Sequence, residues 1–190
     1  MEKKVSSDMR SETLRPQPED FEYDLKAALT SVVSVSTHIP DDAMTADVLG
    51  TERMGNGVVI REGIVLTIGY LVTEAQTVWI SNGDMTIAGH VLGYDQATGF
   101  GLVQALGKLN LPPLPLGDSD TVKIGDPVVV AGAGGLDSAV AAHIVAKQEF
   151  AGYWEYLLDE AIFTAPAHPH WGGAGVINAQ GQLLGIGSLQ

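Results

Sequence analysis

Cysteine is absent from the 190 residues, which excludes disulfide stapling, thiolate catalysis and any zinc site built on sulfur. Positive charge is scarce as well: 10 Lys and Arg stand against 23 Asp and Glu, a formal net charge of −13. Displacing counterions from a phosphate backbone takes a clustered basic excess, so this balance argues against a nucleic-acid partner. The same negative potential works against docking on an anionic leaflet. Long apolar runs are missing too. The longest, around Gly63 to Val72, falls far short of the ~18 residues of a spanning helix, and no membrane association is expected. Residues 1–18 mix Lys3, Lys4, Arg10 and Arg15 with Glu and Ser and lack the apolar segment of a secretory signal. The expected location is therefore cytoplasmic, or periplasmic if a leader has been removed.

What the chain does contain is enough apolar material, 45% of residues, for one domain or two small barrels sharing an interface. Residues 1–20 are polar, carry Pro16 and Pro18, and read as a flexible tail. Phe21, Leu25, Ala28 and Leu29 recur at spacings of three and four, which predicts a short helix. The period then changes to two. Ser31 to Thr37 is rich in β-branched residues and predicts a strand, as do Gly57 to Arg61, Ile64 to Ile68, Thr77 to Ser81, Thr86 to Tyr94 and Phe100 to Leu106. Asn82-Gly83 supplies the positive φ values of a tight hairpin. Leu111-Pro112-Pro113-Leu114-Pro115 can continue neither helix nor strand, because its prolines remove backbone donors, and reads as a crossing between two units. Strand patterns resume at Pro127 to Ala131, Ala139 to Lys147, Ala161 to Ala165, Gly175 to Asn178 and Leu183 to Ser188. The pattern predicts an all-β chain of two antiparallel barrels, residues 21–110 and 127–190, joined by a proline-containing link at 111–126.

Several segments also follow one another in a telling order: Gly55 to Ile60, Ile64 to Val72, Gly93 to Val103, Leu114 to Asp120 with Ile124 to Val128, and Trp171 to Asn178. In order and spacing they resemble the protease domain of the HtrA (Deg) branch of the trypsin-like serine proteases, from Phe21 onward. Gly55-Asn56-Gly57-Val58-Val59-Ile60 is similar to that family's G-S-G-V-V-I. Leu114-Pro115-Leu116-Gly117-Asp118-Ser119-Asp120 is similar to its L-x-L-G-D-S-D. The resemblance implies two six-stranded barrels, the second lacking its last strand before Gln190, and no PDZ domain. It also implies that the catalytic histidine position is Tyr70, within the Y-I-L-T-N-N-H-V-V-like segment. The aspartate position is Gly99, within G-x-D-x-x-T-D-L-A-L-L, and the serine position is Trp171, within S-G-G-P-L-V-N. The oxyanion loop corresponds to His170, Trp171, Gly172 and Gly173.

Each catalytic role is chemically vacant at those positions. Hydrolysis by this design passes a hydroxyl proton to an imidazole whose tautomer a carboxylate fixes. A phenol titrates near ~10, is protonated at neutral pH, and makes a poor base. Glycine orients nothing, and an indole N–H is a donor without a nucleophilic atom. The segment between Thr164 and Gly172 is also about two residues shorter than the family pattern, which remodels the loop whose N–H groups must lie near ~3 Å from an oxyanion. The expectation is a catalytically inactive, structural or protein-binding homologue with Tyr70 and Trp171 meeting as an aromatic plug, rings within about 7 Å. Two unrelated core aromatics remain the plain alternative.

Rival readings attach to other residues. A displaced serine endopeptidase draws on Ser138 or Ser188 with His143, His168 or His170, without motif support. His168-Pro169-His170 has no third ligand close in sequence, so no metal is expected. Gly132 to Gly135 after a strand resembles a dinucleotide loop, but no helix-period segment follows, and no cofactor is expected. Tyr153, Trp154 and Tyr156, with Phe21 and Tyr23 near the N-terminus, are candidate contacts for a protein partner or homo-oligomer, or ordinary packing. A strand edge left open beside Leu183 to Ser188 offers a second route to association.

Overall fold

Antiparallel pairing of each strand with two neighbours closes the first sheet on itself. In the computed structural model, which describes residues 14–152 and 157–188, six strands pair antiparallel. They are β1 (Val32–His38), β2 (Glu52–Arg61), β3 (Ile64–Ile68), β4 (Thr77–Asn82), β5 (Met85–Tyr94) and β6 (Phe100–Ala105). Their order around a closed barrel is β1-β2-β3-β6-β5-β4. Val33, Val35, Val59, Val65, Ile80 and Val103 point inward and are fully buried. Closure removes the unpaired edges that an open sheet of this size would expose.

The second sheet holds β7 (Pro127–Ala131), β8 (Ala139–Ala151), β9 (Leu157–Ala165), β10 (Gly175–Ile177) and β11 (Leu183–Ile186). Its order is β11-β10-β7-β8-β9. Adding six to each label of the first barrel reproduces this order with one position, between β9 and β11, unfilled among the described residues. The described residues thus form a double barrel of trypsin-like type, with one strand fewer in the second unit than in the first. Between the sheets lies a shared core of Leu25, Leu29, Val32, Val58, Leu114, Val129, Ile177 and Leu183. Leu25 and Leu29 come from α1 (Leu25–Leu29), whose first turn is capped by Asp24 accepting the Ala27 N–H at 3.0 Å.

Four local features differ from the sequence expectation. Strand β2 starts at Glu52 rather than Gly57, because residues 52–56 pair with β1 although none of them is β-branched. Two single-turn helices, α2 (Ala46–Leu49) and α3 (Gly69–Val72), interrupt segments too short to show a helical period. The described part of the expected flexible tail is docked: Arg15 pairs with Asp137 at 2.7 Å, and Pro18–Asp20 forms a 3-10 turn. The link also pairs instead of merely crossing. Leu183 N–H donates to Pro115 O and Gly117 N–H to Leu183 O, both at 2.8 Å, so the edge expected to be open beside Leu183 is covered there.

Barrel parity is directly testable at two adjacent residues of β4. Ile80 is fully buried while Trp79 is 47% exposed. Ile80→Ala is expected to cost about 2–5 kcal/mol in urea unfolding, through lost transfer energy and a residual cavity. Trp79→Ala on the outer face should stay within about 1 kcal/mol.

Candidate functional site

The turn from β3 into α3 delivers Tyr70 to the cleft between the sheets. Gly69 begins this turn, donating its N–H to Gly99 O at 2.6 Å. A Cβ on Gly69 would overlap the Tyr94 ring, so the close approach requires glycine. Below it, the nearly buried Arg53 donates to Tyr70 O at 2.7 Å, Thr73 O at 3.1 Å, Gly50 O at 3.0 Å and Thr45 Oγ1 at 2.7 Å. A cation at the carbonyl end of a helical turn is favourably placed. Burial pushes the Arg53 pKa down, and the nearby Glu74 carboxylate opposes that shift. Glu74 accepts from the Thr45 hydroxyl, the Thr45 N–H and the Met44 N–H, and these bonds, the hydroxyl's first, hold its carboxyl below the ordinary value.

Across the cleft, Trp171 is carried by a loop fixed to the first barrel through Asn56. This side chain donates from Nδ2 to His170 O at 2.8 Å and Gly172 O at 3.0 Å, and its Oδ1 accepts the Ala133 N–H at 2.8 Å. The Asn56 N–H adds a bond to Gly172 O at 2.8 Å, and Asn56 O accepts from the fully buried Thr67 hydroxyl at 2.6 Å. Gly173 adopts φ +77°, and a Cβ there would run into the Asn56 carbonyl. Thus fixed, the Trp171 ring meets Tyr70 edge to face with centroids 6.5 Å apart and planes at 65°. Tyr70 Oη also donates to Ser188 O at 3.4 Å. Both rings are half-buried. Such pairs contribute ~0.5–1.5 kcal/mol beyond the area they bury.

Gly99 lies beside this pair but brings only backbone. Its φ is +78°, and its N–H donates to Asp95 O at 2.9 Å. The nearby Asp95 is occupied as a turn cap, accepting from the Thr98 hydroxyl at 2.7 Å and the Ala97 N–H at 3.1 Å, and these bonds lower its pKa. The loop expected from the resemblance to form an oxyanion hole carries a difference of its own. In trypsin-like proteases the hole is made by the N–H of the nucleophile and of the residue two positions before it. Here that second residue is Pro169, which has no N–H. Between them, the His170 N–H is taken by His168 Nδ1 at 3.0 Å.

The remaining candidates disperse. His168 is 3% exposed, with its second nitrogen, Nε2, donating to Ser138 O at 2.9 Å, so neither ring nitrogen is available to activate a hydroxyl. His143 is exposed on β8, opposite Pro127 and Ala165. After Gly132 to Gly135 comes a 3-10 turn, Gly135–Ser138, and then β8, so no helix N-terminus faces the glycines. Among the described residues no group of three or more His, Asp or Glu is arranged to hold a metal ion. Phe21 and Tyr23 pack edge to face at 5.5 Å against the shared core, and burial pushes the Tyr23 phenol up to about 12. Tyr153, Trp154 and Tyr156 lie outside the described residues. No described helix is long and apolar enough to cross a membrane. Sequence reasoning missed Asn56, Arg53 and Pro169; only Pro169 left a signal, as a proline two positions before Trp171.

Comparisons with known proteins agree with this geometry at the level of the scaffold. The pattern of the trypsin-like peptidase domain matches residues 55–186. A serine protease HtrA-like protein of Staphylococcus epidermidis is 24% identical over 182 residues, 86% of this chain and 31% of the relative. The magnetosome formation protease MamE of Magnetospirillum gryphiswaldense is 27% identical over 143 residues, 71% of this chain and 18% of the relative. The chain therefore spans under a third of the length of these relatives. Among solved structures, the active form of the Rv3671c protease from M. tuberculosis matches 90% of this chain and 75% of its own, with TM-score 0.69 and 24% identity. The HtrA-type protease AlgW with tripeptide matches 85% of this chain and 52% of its own, with TM-score 0.68 and 21% identity. These structural likenesses speak to the fold.

Removing the Asn56 amide tests whether it organises the site. Asn56→Ala leaves His170 O and the Ala133 N–H without their side-chain partner and is expected to cost about 2–4 kcal/mol in denaturant unfolding, from ~1–3 kcal/mol per unsatisfied buried group. A cost near zero would show that the loop holds its shape without the amide.

Proposed function

The chain belongs to the trypsin-like peptidase domain family, and we propose that within it this protein is a non-catalytic member that serves as a structural or protein-binding module. The observation that supports the reading is the Tyr70–Trp171 ring contact, between the two positions that motif order aligns with the family's histidine and serine. Proton transfer needs a base near neutral pKa beside a nucleophile, and a phenol against an indole supplies neither. Gly99 provides no carboxylate to orient a base, and Pro169 provides no donor to a developing oxyanion. Fold alone does not carry activity.

Partner binding is proposed through the outer edge of β9, which among the described residues pairs only with β8. Leu157 on that strand is 54% exposed. An unpaired strand edge of this kind accepts a further strand by backbone hydrogen bonding. The partner is a polypeptide, either a different chain or a second copy.

Purified protein is expected to release no fluorescent peptide from labelled casein above a buffer control. The triple variant Tyr70→His, Gly99→Asp, Trp171→Ser is expected to stay inactive as well, because residue 99 holds φ +78° and Pro169 still lacks its donor. Casein cleavage that disappears on replacing one serine would refute the reading. Native mass spectrometry reads the association: oligomers that dissociate on Leu157→Lys support edge pairing between copies, whereas a strict monomer counts against it.

A further inference from the structure

His168 and His170 are separated by one proline, yet the first is 3% exposed and the second lies open to solvent. The buried ring makes two hydrogen bonds, and the chemistry of its partners fixes its protonation. The His170 backbone N–H, 3.0 Å from Nδ1, can only donate, so Nδ1 carries no proton. The Ser138 carbonyl, 2.9 Å from Nε2, can only accept, so Nε2 carries one. A single neutral tautomer satisfies both. A second proton, on Nδ1, would set N–H against N–H and leave the His170 amide without its acceptor.

Among the described residues no counter-charge faces the ring to hold that proton. Gly132 packs against it, a Cβ there falling 3.0 Å from His168 Cε1, and the neighbouring side chain from β2 is the neutral amide of Asn56. On the Gly135–Ser138 turn, the one ionisable group is Asp137, whose side chain is 80% exposed and paired with Arg15. On β8, His143 is exposed. The remaining titratable neighbour, the His170 ring at 6.3 Å between centroids, adds repulsion when it is charged. A charged His168 ring is therefore accommodated by leaving its site.

We propose that His168 is an acid-sensitive latch on the loop that carries Trp171. Protonation breaks the bond to the His170 amide, and His170 O is one of the two carbonyls through which Asn56 holds the loop. Trp171, the next residue, then withdraws from Tyr70, and the cleft between the sheets opens. Imidazole is the side chain that charges within the span of ordinary cellular pH, which makes a buried neutral ring a natural two-state element. The inference rests on the reading of the ring pair as a plug. That reading fails by hydrolysis, the latch by spectroscopy.

The test uses the full chain with Trp79→Phe and Trp154→Phe, so that Trp171 is the sole indole. Fluorescence is followed from about pH 8 to about pH 4, the span in which imidazoles titrate. The expected result is a red shift of Trp171 emission on acidification that is lost in His168→Gln, whose amide still donates toward Ser138, and kept in His170→Asn. No shift in the parent protein, or a shift that persists in His168→Gln, overturns the latch. Imidazole nitrogen NMR of the parent protein gives the same decision if the variant does not fold: His168 must hold its proton on Nε2 at neutral pH and gain the second together with the Trp171 shift. Protonation of His168 and the Trp171 shift at separate pH values contradict the proposal.

Discussion

The side-chain amide of Asn56 is the constraint on which the cleft depends. One residue of β2 reaches out of the first barrel and bonds three backbone groups of the second unit: the carbonyls of His170 and Gly172 and the N–H of Ala133. An amide suits this position because it carries donors and an acceptor on one rigid plane. Neither a carboxylate nor a hydroxyl offers that combination. The approach is so close that residue 173 must be glycine, and the loop shape that follows sets Trp171 against Tyr70.

Arg53 does for the other wall what Asn56 does for the loop. Its guanidinium binds the Tyr70 and Thr73 carbonyls along the α3 turn and so fixes the backbone of Tyr70. The cost of burying this cation is offset by four acceptors and by the Glu74 carboxylate nearby. Both walls are thus held by well-satisfied polar groups, while the side chains facing each other are aromatic. On the proposed reading, the architecture that once positioned proton-transfer groups now positions a packing contact. A scaffold whose stability lies in its barrels and in these two clamps can lose its catalytic side chains without losing its form.

Much of the fold was legible because β-branched alternation and turn residues act locally. Ile64–Ile68 and Pro127–Ala131 fall where the pattern put them, since each is a short apolar run bounded by Gly, Asp or Pro. The start of β2 was not legible: Glu52 to Asn56 are strand only because β1 pairs with them, a long-range cause that no window reveals. The same holds for the link, whose Pro115 and Gly117 bond to Leu183 from far along the chain. At the site, the positions of Tyr70, Gly99 and Trp171 came from motif order. The groups that hold them did not, because Asn56 and Arg53 act on backbone atoms over long sequence distances and leave no spacing to read.

The central claim is that no activated serine exists in this molecule. Intact-mass analysis after exposure to a fluorophosphonate, which phosphonylates a hydroxyl made nucleophilic by a neighbouring base with loss of fluoride, measures this directly. The account predicts an unmodified mass under native conditions. A stoichiometric single adduct on a serine, lost when the protein is first denatured, would contradict it.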